Sequence, residues 1–446
     1  TVGTAAAKGV LYGVSNVEVL DVAATGTASI DLKDTSGVTT LKAAANQKLV
    51  TIVTAPGTTT ETISFVLNGT SHTTAAVGAN TIDASGQKIA DTINALAGFT
   101  ATAGVGAAAT DQVTITSLTG EAIEIGSFTE SAATTSTYNV TGYSNVSFTN
   151  MTAGQSVDIY SAANVTAGLK DASGTADEIN INIATVAADK GFAKTIGTVT
   201  TANVEIVNLN TTGMTDGKVT TVTSLASGGI KTVNFSGESD LTVSGFATQA
   251  ATINGSTATG DLNLTVSTKD QSITTGSGND TIDFAATLTS ADTVDGGANN
   301  AIAGGTTVGK DLVTATGNIG TLVAASALKI ANVETIEVAI GAAGTTWIDA
   351  AGITGAETLA FSNDTNGGTV KVTNLAAGTA IGVGIGATGA AVTELGKTAA
   401  ATLDVTLADA TGAADALTLD YADGTTEANS VTLKLGAGVE TLNVKA

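Results

Sequence analysis

The sequence predicts a mainly β chain, a right-handed parallel β-solenoid into which a small α+β domain is inserted. Two kinds of repeat and a skewed composition lead to that fold. A heptad of the form [Asn/Gly]-[Val/Ala]-Glu-x-[Val/Ile/Leu]-x-[Val/Leu/Phe] begins at Asn16, Asn203, Asn332, Gly355 and Gly438, with close relatives at Asn145 and Gly229. Apolar and polar residues alternate within it, the pattern of a strand with one buried face. A longer phrase, Leu-x-Asp-Ala-[Ser/Thr]-Gly-x-Ala-Asp, starts at Leu169 and again at Leu407. Each copy is followed by a Val-Glu heptad, which implies duplication of a whole structural module.

Most heptads lead through a short Gly-containing turn into a second alternating strand. Val22 is followed by Gly26 and then Ile30 and Leu32; Phe235 by Gly237 and then Leu241 and Val243; Phe361 by Gly367 and Gly368 and then Val370 and Val372. A coil is therefore strand, tight turn, strand, within the solenoid range of roughly 20 to 45 residues. One coil cannot bury its apolar face alone, but stacked coils share a continuous core. An antiparallel sandwich also shows short alternating strands; the glutamate that recurs at one place in the unit favours the solenoid.

The composition fits a thin, repeated core. Only 3% of residues are aromatic, and a single Pro, a residue that blocks ladder hydrogen bonds, occurs among 446. There is no Cys, which excludes thiol chemistry and a disulfide framework. Acidic residues number 40 against 17 basic ones, every one of them Lys, for a net charge of −23. That balance argues against nucleic acid and against bare anionic lipid, and it suits divalent cations that take oxygen ligands. Residues 372–393 are apolar but alternate with glycine at period two, so they predict a strand and no membrane span. The N-terminus lacks the basic start and apolar run of a signal peptide.

Residues 46–137 break the repeat. Segments 49–53, 62–67 and 112–116 predict strands, the first two parted by Pro56-Gly57, and 85–96 predicts a helix with Ser85 as N-cap and Ile89, Ile93 and Leu96 on one face. Similar phrases flank the segment, as expected of an insertion between equivalent coils. The predicted organisation is first coils over 1–45, an inserted α+β domain over 46–137, and solenoid over 138–446.

Residues 275–283 (TGSGNDTID) match the nonapeptide G-G-x-G-x-D-x-U-x except at its first glycine. Gly276 and Gly278 would let backbone carbonyls face a cation, Asp280 would supply charge, and Ile282 would anchor the turn to the core. A cation in such a turn needs a neighbouring turn. Asp292 and Asp295, followed by a glycine pair and Asn300, provide one candidate, and Asp311 after Gly309 a looser second. The candidate ligands of calcium are Gly276, Gly278, Asp280, Asp283, Asp292, Asp295, Asn300 and Asp311, in turns near 272–315. The same residues also suit a plain Gly-Asn-Asp turn that binds nothing. Asp177 and Asp415 are either further ligands or turn caps.

These motifs resemble those of RTX-type bacterial S-layer proteins, such as the Caulobacter type, and of related secreted RTX surface proteins. The heptads and the Asp-Ala-x-Gly-x-Ala-Asp phrase cover most of 1–45 and 138–446. The resemblance implies RTX-like calcium turns, type I secretion, an extracellular location at the cell surface, a calcium-dependent lattice of identical subunits, and lipopolysaccharide as a partner through another region. The nonapeptide array here is short. Neither an anchoring domain nor a secretion signal is evident, and the chain ends mid-pattern, as expected of a piece of something longer.

Catalytic equipment is sparse. His72 is the only histidine and is expected in a surface loop, and without Cys most triads and His-based metal sites cannot be assembled. Parallel β-helix polysaccharide lyases use an Arg or Lys base in a basic groove, which has no counterpart in an acidic chain without Arg. The segment Gly396-Lys-Thr398 lacks the glycine that a phosphate loop needs, since Ala391 holds that place. Trp347 is expected to pack between coils. The expected function is a structural, non-enzymatic one, a surface-layer lattice protein; the alternative is a secreted RTX-type adhesin or biofilm matrix protein.

Overall fold

The structure, a computed structural model, describes residues 7–24, 27–45, 47–52, 57–104, 111–118, 123, 125–131, 138–142, 145–159, 164–183, 194–213, 219–226, 228–246, 250–299, 309–316, 326–340, 345–362, 368–383, 400–412, 415–421 and 431–445. The chain is mainly β, with long parallel sheets consistent with a solenoid-like fold. It divides into two compact units, residues 1–230 with 237–242 and residues 231–236 with 243–446.

In the first unit the chain alternates between two parallel runs. One run holds Ala7–Val14, Thr27–Thr35, Asn145–Met151, Asn164–Leu169, Lys194–Ala202 and Thr220–Ala226. The other holds Val19–Ala24, Thr40–Ala45, Ser156–Ile159, Glu178–Ile183 and Ile206–Thr211. Alternation places every second side chain inside, and the register stacks like on like: Ala28, Val146, Val165 and Val199 form one buried column.

The second unit repeats this scheme and adds a third sheet that two-strand coils do not foresee. Its first run carries the buried column Leu264, Ile282, Val313, Ile336, Leu359 and Ile381. Its second carries Ile253, Ile273, Val294, Ile330 and Ile353. From Thr345–Asp349 onward a four-stranded parallel sheet appears, completed by Thr369–Leu375, Ala401–Leu407 and Val431–Leu435. Trp347 lies in its first strand between buried Thr346 and Ile348 and points outward, with the Lys371 ammonium 4.3 Å from its ring centroid. It packs against its register partner on the neighbouring strand, as expected, but on the outer face, to which alternation turns it.

Residues 47–142 stand outside these parallel runs. They form a three-stranded antiparallel sheet (Ile125–Glu130, Ile63–Leu67, Thr70–Thr73), a four-stranded one (Tyr138–Gly142, Gln47–Ile52, Asp111–Ser117, Phe99–Gly104) and the helix Ile82–Asn94. Ile89 and Ile93 are buried with Phe65, Val113 and Ile115, as the helical pattern predicts. The N-cap is Thr81, not Ser85: Thr81 is extended and its Oγ1 accepts from the Ala84 N–H at 3.2 Å, while Ser85 is buried in the first turn. His72 is in the strand Thr70–Thr73, not a loop, with its ring 5.8 Å from that of Phe65. Pro56 lies outside the described residues.

The heptad now has a backbone explanation. Its first residue is left-handed in all five copies, with φ of 61° at Asn16, 52° at Asn203, 53° at Asn332, 84° at Gly355 and 91° at Gly438. Asn and Gly are the residues that enter this region at least cost, so their alternation at one position marks a corner. The corners stack as well: a Cβ on Gly355 would lie 3.2 Å from the Asn332 backbone. Asn203→Gly should leave stability nearly unchanged, whereas Asn203→Val should cost about 1–3 kcal/mol, measured by urea unfolding of the full chain; equal effects would refute a left-handed requirement.

Candidate metal centre

Strands shorten to three residues at Ser272–Thr274, Thr281–Asp283 and Thr293–Asp295, so the turns between them carry a larger share of the chain. Ile282 points inward, and Asp280, two residues earlier, does the same at the mouth of the strand. Because Thr281 pairs with Leu312, Asp280 stacks on Asp311 one coil away. Both are 1% exposed. The Asp280 N–H donates to Asp311 Oδ1 at 2.7 Å, and the Leu262 N–H donates to Asp280 Oδ1 at 2.7 Å. Below and above stand two acids that the motif did not single out. Asp261 Oδ1 accepts from the Asn279 N–H at 2.7 Å, and Glu334 Oε2 from the Asp311 N–H at 2.9 Å.

Such a column is electrostatically costly. Burial pushes the Asp280 carboxyl up to about 6, despite the backbone N–H groups that it accepts. Burial pushes Asp311 further, to about 8, with the charges of Asp280, Glu334 and Asp261 adding to the shift. Two stacked, desolvated carboxylates need a proton or a cation between them. Asp311 Oδ2 is buried without a hydrogen-bond partner, and so are Asn279 Oδ1 and Asn299 Oδ1 in the same pair of turns. Every orphan is a hard oxygen acceptor, a donor set that suits calcium or magnesium. Asp280 and Asp311 supply the charge there, and Asn279 and Asn299 offer amide oxygens. Among the described residues, no group of three or more His, Cys, Asp or Glu side chains is placed to hold a metal ion, so a cation here would draw on amide and backbone oxygens beside the two Asp.

The glycines are explained by contact between coils. A Cβ on Gly276 would lie 2.0 Å from the Ala258 carbonyl, and one on Gly278 2.6 Å from the Gly260 carbonyl. The remaining predicted ligands each have hydrogen-bond partners within the fold. Asp283 Oδ1 accepts from the Ala285 N–H and the Thr314 hydroxyl, both at 2.9 Å. Asp295 Oδ1 accepts from the Gly297 N–H at 3.1 Å and from Asn332 Nδ2 at 2.8 Å. Asp292 is buried but fully occupied, by the Gln271 N–H at 2.7 Å and the Thr289 N–H at 2.8 Å. Asn300 lies outside the described residues.

The heptad glutamate, which marks the repeat in the sequence, turns out to close corners. Glu205 Oε2 accepts from the Asp177 N–H at 3.1 Å and Glu440 Oε2 from the Asp415 N–H at 2.9 Å, as Glu334 does for Asp311. The Glu205 and Glu440 backbone N–H groups donate in return to the Asp177 and Asp415 carbonyls, both at about 2.9–3.1 Å. The duplicated Asp and the following Glu are thus two halves of one junction. Their steady separation, one coil apart in the sequence, was the signal that could have paired them.

No family model matches the chain, and no curated protein or solved structure is similar to it.

Folding raises the carboxyls of Asp280 and Asp311 above their unfolded value near 4, so the native state binds more protons than the unfolded state between about pH 4 and 8. Stability in EDTA should therefore fall as pH rises through that window, and Asp311→Asn should flatten the fall. A denaturation midpoint that stays level from pH 5 to pH 8.5, or the same slope in the variant, would exclude this ladder as the cause.

Proposed function

We propose that this chain is a structural, non-enzymatic surface protein: a right-handed parallel β-solenoid that assembles with identical copies into a calcium-dependent two-dimensional layer on the outside of a bacterial cell. The observation that carries this reading is the stack of in-register columns that holds, at 279–311, two stacked buried acids with one Asp311 oxygen and the Asn279 and Asn299 amide oxygens lacking hydrogen-bond partners. Such a stack is a scaffold, and its one costly feature is the kind that a divalent cation relieves. Secretion by a type I route, RTX-like turns and attachment to lipopolysaccharide through another region belong to the same proposal and rest on the motif resemblance.

Residues 46–137 are read as a small α+β domain inserted between equivalent coils. The support is register: Thr40–Ala45 pairs directly with Ser156–Ile159, and Thr27–Thr35 with Asn145–Met151, so the coils on either side of the segment are neighbours.

Electron microscopy of the purified chain in millimolar calcium and in EDTA tests the function. Ordered sheets in calcium alone are expected; dispersed particles at every concentration would favour the adhesin reading. A thermal midpoint that rises with calcium is expected by linkage, because the unfolded chain has no site. Asp280→Ala should lose most of that rise, and an unchanged response would make the turn a plain one.

A further inference from the structure

We propose that the strand Thr70–Thr73 is a docking edge for a second copy of this chain, which pairs with it antiparallel about a two-fold axis. The proposal rests on the self-assembly reading and assigns it one contact. The sheet edges in residues 47–142 are treated unequally. An open edge strand presents unpaired N–H and C=O groups and templates further pairing unless it is bulged, charged or covered.

Among the described strands, two of the four edges are blunted and a third has another strand beside it. Phe99–Gly104 ends the four-stranded sheet, but the Asn94 side chain from the helix occupies its outer rim. Asn94 Oδ1 accepts from the Ala101 N–H at 2.7 Å and Asn94 Nδ2 donates to the Ala101 carbonyl at 2.8 Å. That amide imitates the next strand and blocks it. Ile125–Glu130 ends the three-stranded sheet with a register shift between Gly126 and Thr129 and with Ser127 at φ 52°, a bulge that turns the edge away. Tyr138–Gly142, the other end of the four-stranded sheet, adjoins the strand Lys194–Ala202.

Among the described residues, Thr70–Thr73 has no bulge, charge or cover, and only its shortness, four residues, limits the pairing it offers. It follows a two-residue turn, Asn68 and Gly69, both left-handed at φ 46° and 79°, which fixes the hairpin register. Phe65 then pairs with His72 and Leu67 with Thr70. The Thr74 N–H donates to the Ile63 carbonyl at 2.9 Å, which sets 63:74, 65:72 and 67:70 as the hydrogen-bonded pairs. Ser71 and Thr73 fall between them, so their backbone N–H and C=O groups point away from the sheet. No Asp, Glu or Lys occurs from Ile63 to Ile82. In a chain of net charge −23, this is a surface where a second copy approaches without charged side chains opposing it on the strand. An antiparallel strand is complementary to itself. Bonding Ser71 to the Thr73 of the other copy, twice, sets the two His72 residues directly opposite at a non-hydrogen-bonded position.

The absence of Cys makes the test clean. In a non-hydrogen-bonded antiparallel pair the Cα atoms lie about 4.5 Å apart, within disulfide reach. The full-length His72→Cys variant, equilibrated with oxidised glutathione as the acceptor of the two electrons and two protons, is expected to form a covalent dimer. Gln87→Cys, on the exposed side of the helix, is expected to remain monomeric. Adding Ser71→Pro to His72→Cys removes an outward N–H and no bond within the hairpin, so the cross-link should be lost while the melting temperature holds. No dimer from a folded His72→Cys protein, equal dimer from Gln87→Cys, or a dimer that survives Ser71→Pro each overturns the proposal; the first leaves the edge to a strand of a different protein. Microscopy separates the two readings. Calcium sheets that form unchanged with Ser71→Pro refute this contact alone, whereas cross-linked pairs from a protein that never forms sheets refute the layer and keep the contact.

Discussion

Parallel, in-register pairing is the constraint on which the rest of this structure depends. Each coil sets its backbone about 4.8 Å from the next, and register carries every side chain onto its counterpart. For apolar residues the outcome is favourable. Leu264, Ile282, Val313, Ile336, Leu359 and Ile381 share one buried column without a large aromatic residue, and burying each such side chain is worth roughly 1.5–3 kcal/mol. Amides also stack well, because each has a donor and an acceptor to pass along: Asn208 Nδ2 donates to Asn180 Oδ1 at 2.8 Å, and Asn254 Nδ2 to Asn234 Oδ1 at 3.4 Å.

Acids are the case in which stacking turns against the fold, and the chain handles them in two ways. At the Glu205 and Glu440 corners an acid faces a backbone N–H. Glu205 and Glu440 accept from the Asp one coil back, which satisfies the carboxylate without bringing a second one into contact. At 280 and 311 the acids themselves are stacked and buried, and Asp311 is short of a donor. The same hydrogen-bond pattern continues there, since each N–H still meets a carboxylate, but one oxygen of Asp311 is left over. A single architecture therefore yields corners closed by the heptad glutamate and, where two acids stack inside, a candidate cation site. The difference is the location of the acid, inward at the strand mouth or outward on the turn.

Much of this was legible in the chain itself. Alternation identified the strands and the buried faces, and the Asn-or-Gly start of the heptad marked the corners before their left-handed backbone was seen. The break at 46–137 was legible too, because its periodicities differ from those on either side. The candidate site was legible in part. Gly276, Gly278, Asp280 and Asp311 have motif positions, but which carboxylates face each other depends on pairing register, and register is absent from a local motif. Asp283, Asp292 and Asp295 stand in the same stretch of sequence and look equally acidic. Turn geometry and neighbouring strands give them other partners.

The sequence by itself determined the parallel stacking of short strands, the corners between them and the presence of a segment of another kind. Those properties follow from side-chain period and from the residues that accept left-handed backbone, both local. Tertiary structure alone decided that the second unit grows a third sheet, that the heptad glutamate meets an Asp one coil away, that Asn94 covers one sheet edge while Thr70–Thr73 stays open, and that Asp280 lies on Asp311. Each of these joins residues distant along the chain, and only the register between coils says which of many similar side chains come together.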